Sequence, residues 1–231
     1  MERSIDGGSV ISRTFNIYVD QASVLLPAAA VVFVIEGVLS AVLIAASPAL
    51  ALVSVVLSII ASTLFTGMVV ELVADIQDGR RDASPSTLLR AALPVLGQLV
   101  LVGLIAGLGI AIGFVLIIVP GLILLTIWSV AAPVVVLERP GALRALARSR
   151  ELVRGNGWQV FGVIVVLVIL VGVAAAILDA LGAAGGTAVG IVVRVVVGVL
   201  TAPLPALAEA VLYFELRDSP ATATLAPSES I

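Results

Sequence analysis

Three ionisable residues lie inside long apolar segments, where a charged side chain is unfavourable. Glu36 interrupts one apolar run, and Asp179 and Arg194 lie in two later ones. Burying a charge at the centre of a bilayer costs at least about 2.5–3.5 kcal/mol, so such groups pair with each other or mark a pathway. We predict an ion pair between Glu36 and Arg194, with Asp179 as a competing partner. A proton or substrate relay is the alternative, although no further polar groups continue inward from these residues.

Several catalytic chemistries lack the residues that they need. The chain has no Cys and no His. This excludes a disulfide framework, a thiolate or imidazole metal site, and a Ser–His or Cys–His nucleophile pair. The acidic residues are scattered, and no acid–base pair stands out. We therefore expect a non-enzymatic protein with no catalytic residues, no metal and no cofactor.

A second candidate site is an arginine-rich segment between residues 138 and 157. On a helical wheel, one side carries Arg144, Arg148, Arg150 and Arg154. The opposite side carries Ala142, Ala145, Leu146, Ser149, Leu152 and Val153. Such an amphipathic helix predicts contact with anionic lipid headgroups, or with a protein partner or a second copy of the chain. The alternative is that these arginines only fix the topology and reach the membrane surface.

The elements that position these residues belong to a membrane protein. Hydrophobic residues make up 61% of the 231 residues and charged residues 12%. Soluble domains have roughly 45–50% and about 25%, respectively. All twelve basic residues are Arg and the formal net charge is −3, so no basic field suggests nucleic acid.

Apolar runs long enough to cross a bilayer, which takes about 20 helical residues, occur six times. We predict spans at about 22–46, 49–74, 94–113, 120–137, 158–181 and 188–214. The chain reverses between the third and fourth spans, before Pro120 and Gly121, because Pro favours the first turn of a helix. The predicted fold is all-α, with three helical hairpins and short amphipathic cytoplasmic helices before spans 1, 3 and 5. These repeats begin near residues 9, 84 and 140.

Six spans place eleven of the twelve arginines on one side of the membrane. The positive-inside rule then puts both termini in the cytoplasm. We expect the membrane to be the plasma membrane. Residues 1–218 form a single membrane domain, and we expect residues 219–231 to be a disordered cytoplasmic tail. We place Glu71 and Glu209 near the cytoplasmic ends of their spans, where a carboxylate reaches the headgroups.

Three stretches resemble one family. They are Arg13–Tyr18 with Leu25–Pro27; Val119–Leu122, Ala132–Glu138, Ala145–Gly155 and Trp158; and Leu212–Arg217. Together they resemble the membrane domain of bacterial glycerophosphodiester phosphodiesterases, over roughly residues 9 to 218. In that family the activity belongs to a separate, metal-dependent barrel that uses His and acidic residues. This chain ends just after the last span and has no His, so the resemblance implies a stand-alone membrane domain without that activity.

Two functions remain open from the sequence. We favour a scaffold that organises membrane lipids or a partner protein, with basic helices on anionic headgroups. The alternative is a small transporter or permease component for a lipidic or amphiphilic substrate. A polar cavity lined by Glu36 and Arg194 would favour transport, and a fully packed core would favour the scaffold.

Overall fold

The computed structural model describes residues 5–80, 83–184 and 187–219, except for the side chains of residues 178, 179, 181–184, 187–192 and 194. Within these ranges the chain forms helices and no strands. The α-helices, in chain order, are α1 (Gly7–Asp20), α2 (Ala22–Ala46), α3 (Ala51–Gln77), α4 (Pro85–Ala92), α5 (Leu96–Leu116), α6 (Ile118–Ile127), α7 (Ala131–Glu138), α8 (Ala142–Val153), α9 (Gly157–Ala184), α10 (Thr187–Thr201) and α11 (Pro203–Arg217).

Six segments of the described chain are long and apolar enough to cross a membrane, which confirms the predicted all-α architecture. They are Ala22–Ala46, Pro48–Gln77, Pro85–Leu116, Ile118–Glu138, Gly157–Ile177 and Val195–Arg217. The spans pair as α2 with α3, α5 with α6 and α7, and α9 with α10. We call the end of the bundle that carries Arg13, Arg90, Arg144 and Arg217 the arginine side.

Three short amphipathic helices lie on the arginine side, as predicted. Two of them precede spans 1 and 5, and the one at span 3 forms the first eight residues of that span. These helices are α1, α4 and α8. The Ser84 hydroxyl caps α4 by accepting from the Thr87 N–H, which fixes where that helix begins. The buried side of α8 consists of Ala142, Ala145, Leu146, Ser149, Leu152 and Val153, the same six residues that the helical wheel selects.

The α5–α6 hairpin reverses at one extended residue, Ile117, within the predicted interval. The two helices approach closely because glycines face each other. A Cβ added at Gly113 would lie 2.9 Å from both Cα and N of Gly121, and one added at Gly109 would lie 2.7 Å from the Trp128 ring. These separations are shorter than carbon atoms tolerate, so the small-residue spacing in α5 serves packing within the chain.

The fourth span is broken into α6 and α7 by a turn at residues 128–130. Pro133 explains the break, because proline has no N–H to donate to the carbonyl of Ser129 and its ring collides with that carbonyl. The Ser149 hydroxyl of α8 occupies the break. It donates to the Ile127 carbonyl at 2.8 Å and accepts from the Val130 N–H at 3.3 Å. The amphipathic helix α8 therefore supplies hydrogen bonds to two backbone groups at the break in the fourth span.

Dense packing is concentrated in the half of the bundle next to the arginine side. Phe65, Val134 and Leu207 are among the most buried side chains there. In the opposite half, apolar side chains such as Leu52 and Val115 are exposed and in a bilayer would contact lipid acyl chains.

Helix α1 and the residues just before it are attached to the bundle by three polar contacts. The Ile5 N–H donates to Asn156 Oδ1 at 3.3 Å, and Arg13 pairs with Glu215 of α11 at 2.8 Å. The Tyr18 hydroxyl donates to the Leu200 carbonyl at 3.0 Å, and burial raises the pKa of Tyr18, so this donor keeps its proton. Through these contacts α1 helps to hold α11 in place.

Candidate functional site: a cavity within the bundle

A cavity of about 640 Å³ lies between α3, α5, α6, α7, α9 and α11 and is partly open at its surface. Its volume is within the roughly 300–1,000 Å³ typical of small-molecule sites. Most of its lining is apolar, including Val102, Ile110, Leu167 and Leu212. The lining runs along α5 from Leu99 to Ile110, which is about 16 Å of helix. The described part of the bundle is therefore not packed throughout.

Glycine and alanine residues leave this space empty. Gly103, Gly107 and Gly172 all line the cavity. A Cβ at Gly107 or Gly172 would meet no atom within 4 Å, and one at Gly103 would meet only Thr63 Oγ1 at 3.9 Å. The glycines of α5 thus have two roles. Gly109 and Gly113 bring α6 close, whereas Gly103 and Gly107 keep side chains out of the cavity.

Three polar side chains enter the cavity at a similar depth. Counted from the arginine-side end of its span at 1.5 Å rise per residue, Thr66 lies about 16 Å deep, Ser129 about 14 Å and Glu209 about 12 Å. Thr66 belongs to α3, Ser129 to the break between α6 and α7, and Glu209 to α11. Three separate spans therefore contribute side chains to this polar level. Ser62 and Thr63 of α3 also line the cavity, farther from the arginine side.

Two of these groups have no partner within the described chain. The Ser129 hydroxyl oxygen is buried and makes no hydrogen bond. The Glu209 carboxylate makes neither a hydrogen bond nor an ion pair with any described residue. Polar groups removed from water in proteins are normally hydrogen-bonded, and buried charges are normally paired. The lining of the cavity therefore includes a buried serine hydroxyl and a carboxyl group that have no partner among the described residues.

The predicted position of the Glu209 carboxylate is wrong. We expected its carboxylate to reach the headgroup region, but it lines the cavity about 12 Å from the end of its span. The sequence does show that Glu209 lies inside an apolar run, between Pro205 and Tyr213. What the sequence lacked was the direction of the side chain, which depends on the helices that pack beside α11.

The predicted intramembrane ion pair has one described member. The Glu36 carboxylate accepts hydrogen bonds from Ser40 at 2.9 Å and from Ser58 of α3 at 2.7 Å. Glu36 therefore joins the two helices of the first hairpin. The side chains of Arg194 and Asp179 lie outside the described residues, so the pair itself stays a prediction. Glu36 does not line the cavity.

The four arginines of α8 fall into two groups. Arg144, Arg150 and Arg154 are exposed and make no ion pair with the described residues. Arg148 is half-buried and pairs with Glu138 at 3.2 Å and with Glu151 at 3.5 Å. The helical wheel shows only that these four side chains point in similar directions. Arg148 is paired whereas the other three are not, because Glu138 at the end of α7 lies beside it.

Glu138 connects three helices on the arginine side. Besides Arg148 of α8, it accepts a 2.9 Å hydrogen bond from the buried Tyr213 hydroxyl of α11. Glu215, six residues after Glu209 on α11, pairs with Arg13. These contacts fix the rotation of α11, and that rotation determines where Glu209 points. Among the described residues, no group of His, Cys, Asp or Glu side chains could hold a metal ion.

The fold and the apolar surface define this chain as an all-α, multi-pass membrane protein. Consistent with that class, it is 31% identical over 99 residues to a UPF0259 membrane protein of Pectobacterium carotovorum. The matched region covers 43% of this chain and 39% of that relative. No family model and no solved structure matches the chain. The resemblance to a phosphodiesterase membrane domain stays a prediction, because none of these comparisons concerns that family.

Proposed function

We propose that this non-enzymatic protein of a bacterial plasma membrane binds a lipidic or amphiphilic molecule inside its bundle, as a small transporter or permease component. The observation that carries the proposal is the 640 Å³ cavity, which has an apolar lining and one polar level. The criterion stated from the sequence required a cavity lined by Glu36 and Arg194. The cavity is lined by Glu209 and not by Glu36, and the side chain of Arg194 lies outside the described residues. A fully packed scaffold would leave no such space.

The arginine distribution supports the proposed orientation. Six spans leave eleven of the twelve arginines on one side, so the positive-inside rule favours cytoplasmic termini. In that orientation, the polar level of the cavity lies closer to the cytoplasm than to the outer surface.

Trp128 offers a direct test, because it lines the cavity and the other tryptophan is easily removed. Trp158 is 83% exposed at the start of α9, so Trp158→Phe leaves Trp128 as a single fluorophore. An alkyl amphiphile brominated on its chain should quench this fluorophore saturably, and the unbrominated compound should reverse the quenching. The protein is measured in nanodiscs of uncharged lipid.

A matched pair of glycine variants distinguishes the cavity from the lipid around the protein. Gly107→Leu fills the cavity and should weaken binding at least about tenfold, which corresponds to about 1.4 kcal/mol. Gly162→Leu adds the same side chain at another glycine with no atom within 4 Å, but outside the cavity. It should bind as the parent protein does. Quenching that does not saturate, or that is equal in both variants, would contradict the proposal.

A second function has separate support in the exposed arginines of α8. We propose that Arg144, Arg150 and Arg154 hold anionic lipid headgroups, since none is neutralised by a described carboxylate. Replacing all three by Gln should reduce the phosphatidylglycerol retained by the detergent-purified protein, while retention of phosphatidylcholine stays constant. Each such contact contributes about 1 kcal/mol near a membrane surface.

The control for this test changes arginines elsewhere on the same side. Arg80→Gln combined with Arg90→Gln leaves the face of α8 intact and should retain phosphatidylglycerol. If the α8 variant and this control retain equal amounts, the arginines of α8 have only a topological role.

A further inference from the structure

Glu209 is an ionisable residue of the sixth span whose carboxyl group has no hydrogen bond or ion pair with a described residue. Glu36 accepts two serine hydroxyls, and Glu138 accepts a tyrosine hydroxyl and an arginine. Glu209 has no equivalent partner, although it lies about 12 Å inside its span. Ionisable residues at such depths are rare, face a cavity or another charge, and mark pathways for substrates or ions.

The surroundings of Glu209 select the kind of partner that would satisfy it. The rest of the lining is apolar, apart from the hydroxyls of serines and threonines and the indole of Trp128. No described cation lies in the lining, so no described residue stabilises the ionised form of this carboxyl group there. A ligand that completes this site needs a cationic group at one end and an apolar body for the remaining volume.

We infer that the cavity binds a cationic amphiphile, with an amine or quaternary ammonium group against Glu209 and an alkyl body along α5 and α9. This inference rests on the proposed function, because it names the substrate class of the same cavity. Ser129, whose buried hydroxyl makes no hydrogen bond, lines the cavity at a similar depth on another span. An anionic lipid would place its charge against the carboxylate and is disfavoured.

The test compares three brominated dodecyl amphiphiles that differ only in the head. One carries trimethylammonium, one carries dimethylamine oxide without net charge at neutral pH, and one carries phosphate. Quenching of Trp128 in the Trp158→Phe protein reports binding in nanodiscs of uncharged lipid. We expect the ammonium compound to bind at least about tenfold more tightly than the amine oxide, and the phosphate to bind most weakly.

Glu209→Gln keeps the shape of the side chain and removes its charge. This variant should bind the ammonium compound and the amine oxide equally, and unchanged amine oxide affinity shows that it folds. Glu71→Gln is the matched control, because Glu71 is another half-buried span carboxylate that lies outside the cavity lining. It should keep the preference for the cation.

The possible negative results distinguish between an error in the inference about Glu209 and an error in the proposed function. If all three heads bind alike while Gly107→Leu weakens each of them, the cavity binds amphiphiles and the inference about Glu209 is overturned. A cation preference that persists in Glu209→Gln also overturns it, since the selectivity then arises elsewhere. If no amphiphile quenches Trp128 saturably, the proposed function itself is wrong.

Discussion

Gly113→Ala should lower the stability of this protein more than any other single methyl group added to α5. The new carbon would lie 2.9 Å from the Gly121 backbone and 3.2 Å from the carbonyl carbon of Pro120. Backbone atoms cannot rotate away as a flexible side chain does, so α5 and α6 must separate. Overpacking of this kind costs about 1–3 kcal/mol and occasionally more. The measurement is the free energy of unfolding in detergent.

Gly107→Ala is the matched control, with the same substitution in the same helix. Its new methyl group would meet no atom within 4 Å. Alanine is favoured over glycine inside a helix by up to about 1 kcal/mol, so stability should stay constant or rise. Opposite signs for the two variants would support the close α5–α6 contact. Equal effects would show that the hairpin does not close at Gly113.

Much of the fold follows from patterns that are local in the sequence. An uninterrupted apolar run of sufficient length has few alternatives to a membrane-spanning helix, which is why the α2 span is predicted within a residue of its bounds. The buried side of α8 follows in the same way, because a 3.6-residue period states which residues share a face. The turn before α6 follows from the conformation that Pro120 prefers.

The candidate site depends on contacts between segments far apart in the chain, and these the sequence does not show. Glu209 lines a cavity only because α3, α5 and α9 pack around α11 and leave space beside Gly107. Arg148 is grouped with its neighbours by direction, but its partner Glu138 lies on another helix. Ser149 belongs to an apolar side, and nothing nearby in sequence indicates that it bonds to the break in another span.

Ser149→Ala, which removes a single oxygen atom, should lower the stability of the protein considerably. Ser149 is completely buried, and its removal leaves the Ile127 carbonyl and the Val130 N–H without this partner. An unsatisfied buried group costs about 1–3 kcal/mol, so the unfolding free energy in detergent should fall by at least that amount. Ser62→Ala is the control, since Ser62 is exposed and bonds only within its own helix at 3.1 Å. It should leave stability unchanged.

A double variant tests why Ser149 is needed. If Pro133 causes the break, Pro133→Ala restores an N–H and allows α6 and α7 to join as one helix. In a continuous helix, the Ile127 carbonyl accepts from residue 131 and the Val130 N–H donates to residue 126, so both groups find partners without Ser149. Ser149→Ala should then cost less in the Pro133→Ala background, with a coupling of about 0.5–3 kcal/mol. Strictly additive effects would show that Ser149 stabilises the bundle in some way other than by hydrogen-bonding to the backbone groups at the break.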